Sequence, residues 1–259
     1  MSAALKELRN PDWPIAPGDL KASYDACGNC RFHEAGLCAA IREKAELAAK
    51  NGSSVGFVSS LRTIAARRTI YHQKESPEFV SVICSGWACS STVLPDGRRQ
   101  ILAFHLPGDI VSLAALFDPM WGQLIESITE VTYRNFRRDG LKELILADGD
   151  LTEKVFRAWI GEKKQADRLA VDLGRRTADE RLAGLLLSLF DQLSKRGMVE
   201  DQAADFPLRQ RHIADASGLT PVHVSKVLGE FQKSGLIEIS DRSLRIIDLP
   251  QLQRVAGLQ

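Results

Sequence analysis

The sequence predicts an α+β chain: a β-roll of jelly-roll type, then one long helix, then a winged helix-turn-helix. Three features carry that prediction. Short β-rich runs separated by Pro and Gly turns fill residues 51–149, a helical pattern without proline covers 150–174, and residues 175–259 contain a short helix, a Gly-Leu-Thr turn, a capped helix and a hairpin. Ahead of them, residues 1–50 form an arm that carries three cysteines.

The length of 259 residues and the 44% hydrophobic fraction are enough for more than one core. Lys and Arg total 34 against 33 for Asp and Glu, so any polyanion would have to meet a local basic patch rather than a polycationic chain. The first residues, MSAALKELRNPDWPIAPGD, contain no apolar run suited to a signal peptide, and no stretch approaches the ~18 apolar residues of a membrane span. A cytoplasmic protein that contacts no membrane is expected.

The arm contains CGNCRFHEAGLC, with Cys27, Cys30 and Cys38 inside twelve residues, followed by the helical pattern CAAIREKAELAAK up to Asn51-Gly52. In a reducing compartment, clustered thiols serve metal binding or redox sensing more often than disulfides. Two further cysteines, Cys84 and Cys89, flank the Ser85-Gly86 turn in the roll. The roll itself reads as RRTIYHQ, FVSVICSG, WACSSTVLPDGRRQILAFHLPGD and ESITEVTYRNF. Pro95-Asp96-Gly97 joins two of its strands and Pro107-Gly108-Asp109 ends the second, as in an antiparallel roll or barrel.

Along the long helix, Val155, Trp159, Glu162, Ala166, Leu169 and Leu173 recur at alternating steps of four and three. All but Glu162 are apolar, so this stripe suits a seam with a second copy, or equally a packing face on the chain's own roll. Beyond it, TADERLAGLLLSLFDQL is an amphipathic helix. RQRHIADASG is a short helix closed by Gly218, and Thr220 caps a second helix with Pro221 at its first position. On that helix Val224, Val227, Leu228 and Phe231 form the buried side, leaving Val222, His223, Ser225, Lys226 and Gly229 outward. LIEIS and LRIID around Asp241-Arg242-Ser243 make the wing.

LPDGRRQILAFHLPGDIVSL in the roll, ADERLAGLLL, and IADASGLTPVHVSKVLGEFQKSGLI are the stretches by which the chain resembles the CRP/FNR family of bacterial transcription regulators. The resemblance covers most of the chain. It implies a β-roll sensor domain, a dimerisation helix and a DNA-binding domain, hence a homodimer on double-stranded DNA with a two-fold-symmetric operator, in contact with RNA polymerase. The family's Glu-x-x-Ser-Arg readout falls on Val222, Ser225 and Lys226, with Thr220 and His223 beside them, and Arg209 and Gln210 are implied to hold phosphates. The missing glutamate implies an altered half-site, because Val222 offers apolar contact where a carboxylate would accept from cytosine.

The cysteine arm resembles the oxygen-sensing FNR branch, in which three such residues and one from the roll hold a [4Fe–4S] cluster. In that branch the fourth cysteine lies at the position of Thr132, which cannot replace a thiolate. Family strand order makes Cys84 the better relocated ligand and Cys89 the poorer one, so the implied metal set is Cys27, Cys30, Cys38 and Cys84. Other readings stay open: a zinc site with His33 or a roll cysteine completing the tetrahedron, a thiol redox sensor, cysteines without a sensory role, or an effector within the roll. Cyclic-nucleotide-binding relatives clamp the phosphate with an arginine, and PGDIVSLAALFDPMWGQLIESITE contains none. No Gly-rich phosphate loop, GxSxG or HExxH motif is present, so no enzymatic activity is expected.

Overall fold

The computed structural model describes residues 36–50, 59–73, 78–111, 113–118 and 122–258. Helix α1 (Gly36–Lys50) leads into eight roll strands: β1 (Ser59–Ile64), β2 (Thr69–Tyr71), β3 (Phe79–Ser85), β4 (Ala88–Val93), β5 (Arg99–His105), β6 (Ile110–Val111), β7 (Leu124–Ser127) and β8 (Val131–Arg137). They form two four-stranded antiparallel sheets, ordered β1-β8-β3-β6 and β2-β7-β4-β5. The sheets meet around Ile83, Ala88, Val111, Ile125, Val131 and Tyr133. Alternation then sends Val80, Val82 and Phe136 to the outside of the first sheet, where α1, α2 (Arg138–Ala147) and the start of α3 (Gly149–Arg175) cover them with Ile41, Leu141, Ile145, Leu151 and Val155. Lys44 of α1 pairs with Asp148 at the α2–α3 junction at 2.6 Å.

Gly86, between β3 and β4, turns the chain from one sheet to the other. Its φ is +81°, and a Cβ there would lie 2.0 Å from the Glu130 carbonyl oxygen, so glycine is required by conformation and by space.

Helix α3 is 27 residues long. Arg176 and Thr177 separate it from α4 (Ala178–Lys195), which opens with a capping box between Thr177 and Glu180. There follow β9 (Val199–Glu200), β10 (Ala203–Asp205), α5 (Gln210–Ser217), α6 (Pro221–Lys233), β11 (Ile237–Ser240), β12 (Ser243–Ile246) and α7 (Leu249–Val255). The wing is wider than the sequence predicts: β9 and β10 extend its hairpin to a sheet ordered β11-β12-β10-β9. The apolar face of α4 (Leu182, Leu186, Leu189, Leu193) packs with Val224, Leu228, Phe231 and Leu252, and the same cluster includes Trp87, Ile101, Phe104 and Leu106 of the roll. Each such leucine contributes about 1.5–3 kcal/mol by burial. The second sheet and the C-terminal unit therefore share one core.

Candidate nucleic-acid interface

Two helices at the C-terminal end are held at a fixed angle by a short turn. Gly218 ends α5 in the left-handed conformation (φ 67°), and its amide donates to the Ala214 carbonyl. Thr220 caps α6, its hydroxyl accepting from the His223 amide at 3.2 Å, and Pro221 sits in the first turn. The turn is braced from outside: Arg181 donates to the carbonyl oxygens of Leu173, Arg176 and Ser217 at 3.0, 2.9 and 3.3 Å, tying the end of α3 to the end of α5. At the start of α5 the Arg209 amide donates to His212 Nδ1 at 3.1 Å. His212 is buried, and burial, with Arg211, Arg99 and Arg209 around it, pushes its pKa down to about 4. It is a neutral cap with its proton on Nε2.

Val224, Val227, Leu228 and Phe231 fill the core side of α6. On its other side Val222, His223, Ser225, Lys226 and Gly229 are exposed, Val222 at 81%. An apolar side chain standing in water at the start of a helix suits contact with a base methyl group, and Lys226 can donate to a guanine edge. Arg209 and Gln210 are exposed at the start of α5. Thr220 spends its hydroxyl on the cap. Two basic residues absent from the sequence expectation join this surface: Arg211 on α5, and Arg242 at the wing tip, where Asp241 and Arg242 have φ of 47° and 63°. The Arg242 carbonyl accepts from the Phe206 amide at 2.6 Å, which sets the wing tip beside the chain entering α5. The Asp-Arg-Ser tripeptide between two β runs was the available signal for it.

The expected seam residues of the long helix fall in two environments. Val155 is 5% exposed and belongs to the core under α1 and α2, while Leu169 and Leu173 line a cavity against Phe104, Leu185 and Leu189. Those three face their own chain. The exposed apolar strip of α3 is Phe156, Trp159, Ile160 and Val171, each 51–54% exposed, with Ala166 and Ala170 also in solvent. Phe156 and Trp159 have ring centroids 6.3 Å apart.

Of the expected metal set, Cys27 and Cys30, together with His33, lie outside the described residues. Cys38 is half-buried on α1 and packs against the core of the first sheet. Cys84 is half-buried at an irregularity of β3, where Ile83 pairs with Tyr133 and Ser85 with Thr132, so it sits beside the threonine. Cys89 differs: it is 1% exposed in the core shared with the C-terminal unit, and burial pushes its thiol up to about 11 although Arg99 Nη2 donates to the sulfur at 3.0 Å. Among the described residues no three His, Cys, Asp or Glu side chains are grouped to hold a metal, and no helix is long and apolar enough to cross a membrane.

A capped helix-turn-helix with a basic and apolar outer face, a wing beside it and a roll behind it define a DNA-binding regulator. Comparison with known proteins agrees: residues 180–255 match the Crp-like helix-turn-helix domain and residues 61–148 the cyclic nucleotide-binding domain. The anaerobic regulatory protein of Aggregatibacter actinomycetemcomitans is 30% identical over 68% of this chain and 68% of its own length. The transcriptional activator protein FnrA of Stutzerimonas stutzeri is 28% identical over 76% of this chain and 80% of its own. Among solved structures, FixK2 from Bradyrhizobium japonicum superposes with a TM-score of 0.69 at 29% identity, over 76% of this chain and 97% of that one. The chain belongs to the CRP/FNR family and is a DNA-binding transcription regulator, not an enzyme.

Proposed function

We propose that this regulator works in the cytoplasm as a homodimer on a two-fold-symmetric operator, in contact with RNA polymerase, and responds to oxygen or redox state through a [4Fe–4S] cluster on Cys27, Cys30, Cys38 and Cys84. The observation that carries the sensing is the three-cysteine arm in a chain whose relatives include proteins named for anaerobic regulation. The donor set fits: thiolates are the ligands such a cluster takes, and Cys84 and Cys38 are both partly exposed and in no disulfide, whereas Cys89 is sealed and hard to ionise. Bound there, the cluster would supply an oxidant-sensitive link between the arm and the roll.

Anaerobic purification with iron and sulfide analysis tests this. Wild type should absorb broadly near ~400 nm, lose the band in air, and lose it in C27A, C30A, C38A and C84A but keep it in C89A. A colourless protein with one zinc per chain would replace the cluster by a tetrahedral site. A metal-free protein with oxidant-sensitive DNA binding would point to thiol chemistry instead.

The dimer reading rests on the exposed strip of α3, which a second copy of the same helix would cover. Ile160→Asp should convert dimer to monomer in sedimentation and weaken operator binding by about a hundredfold, since two carboxylates would face each other in an apolar seam. Leu169→Asp should disturb the chain's own packing instead. A dimeric Ile160→Asp protein would refute this seam. For the readout, base selection should differ from the family's usual half-site at the base opposite Val222, and Lys226→Ala should relax specificity at one position where Arg209→Ala weakens all sequences alike.

A further inference from the structure

A second group of polar contacts, away from the outer face of α6, joins the roll to the C-terminal unit. Arg196, at the C-cap of α4, reaches back to the turn after β5. Its Nε donates to the Pro107 carbonyl at 3.0 Å, its Nη2 to Asp109 Oδ1, and its Nη1 to the Gln192 carbonyl of its own helix at 2.9 Å. Asp109 is itself fixed, Oδ2 accepting from the Leu106 amide at 2.8 Å. Both side chains are largely covered, 18% and 27% exposed, so this charge-assisted pair is less screened than a surface one. Elsewhere on the same sheet Gln100 Nε2 donates to the Ala216 carbonyl in α5 at 3.1 Å.

The placement of these contacts matters more than their number. The C-terminal unit leaves the long helix through Arg176 and Thr177 and shares an apolar core with the second sheet, a contact that is non-directional and sets no angle by itself. Arg196 lies at the opposite end of α4, whose 18 residues span about 27 Å. On top of that core, contacts at both ends of α4 and the Gln100 contact with α5 add directional restraints that define the unit's orientation on the roll.

We propose that Arg196 and Asp109, assisted by Gln100, form a latch that sets the separation of the two recognition helices in the dimer, and so the operator spacing the protein accepts. Arg196 and Asp109 are positioning residues, since neither lies on the DNA-facing surface. The inference rests on the dimer reading above. Loss of the latch should leave each half-site contact intact and widen the tolerated distance between half-sites.

Full-length wild type, Arg196→Ala, Asp109→Asn and the exchanged pair Asp109→Arg/Arg196→Asp should be tested on operators whose half-site spacing is varied one base pair at a time, and on a single half-site. Wild type should favour one spacing over its neighbours by about tenfold, the size of a typical coupling between contacting groups. Both single variants should flatten that preference while binding the single half-site as wild type does, and the exchanged pair should restore part of it. An unchanged spacing profile in both single variants, or an equal loss on single and paired half-sites, would overturn the proposal. Sedimentation of each protein separates the two readings: a monomeric wild type without spacing preference defeats the dimer and the latch together, whereas a dimeric wild type with an unmoved profile defeats the latch alone.

Discussion

The two sheets of the roll are built alike and covered differently. Outside β1-β8-β3-β6 lie α1, α2 and the first turns of α3, with Val80, Val82 and Phe136 meeting Ile41, Leu141 and Val155. Outside β2-β7-β4-β5 lies the whole C-terminal unit, in a core shared from Trp87 and Phe104 to Leu186 and Phe231. One sheet thus carries the helix that ends the cysteine arm and the other carries the DNA-binding helices, with a single apolar layer between them. The cysteines feel the difference: Cys84 and Cys89, five residues apart, are a half-exposed thiol at a strand irregularity and a sealed one in the shared core.

The strongest way to break this arrangement is at the turn that joins the sheets. Gly86→Ala forces a Cβ against the Glu130 carbonyl and keeps an unfavourable φ, and should cost on the order of 3–5 kcal/mol, read as a large fall in the denaturant midpoint of the whole chain. A pair of matched truncations probes the two coverings one at a time. Leu141→Ala and Leu186→Ala each remove a fully buried leucine, at about 2–5 kcal/mol apiece, from opposite sides of the roll. Hydrogen exchange should rise in α1 and α2 for the first and in α4 to α7 for the second. If both variants loosened the same helices, the two coverings would be one cooperative unit.

The smallest expected effect belongs to the C-terminal unit alone. The folded chain holds His212 neutral down to about 4. Once the pH falls below the ordinary histidine value of about 6.5, the unfolded chain takes up a proton that the folded chain refuses. Stability from this group is therefore complete above that value and declines between the two. Melting of the C-terminal unit should drop by a few degrees from pH 7.5 to pH 5, and His212→Gln should flatten the decline.

The C-terminal half was legible because its residues announce their conformations: Gly218 and Pro221 admit few alternatives, and the apolar spacing of α6 has one reading. The seam was not. Val155, Leu169 and Leu173 share a period with Trp159 and Ala166, but period does not say whether an apolar side chain meets its own roll or a neighbour. Helix α2 follows β8 directly, with no side-chain cap at Arg137, so nothing in the sequence marks where strand gives way to helix. Hairpin β9–β10 turns through Asp201 and Gln202 at φ of 49° and 62°, without the glycine that would have flagged it. Helix α7 did carry a signal, Asp248 ahead of Pro250. The cysteines were half legible: spacing picks out the arm and family strand order ranks Cys84 above Cys89, but the sealing of Cys89 in the shared core shows only in the structure.

Helix α3 starts with Leu151 and Val155 in the core beside α1 and ends where Arg181 holds the Leu173 carbonyl. Its 27 residues make a lever about 40 Å long. A tilt of about 5° at the arm end moves the far end by about 3.5 Å, close to the ~3.4 Å rise of one base pair. Because Leu169 and Leu173 lie against Phe104 at that far end, a tilt of this size among the first helices would be felt by the second sheet and by the DNA-binding helices packed on it.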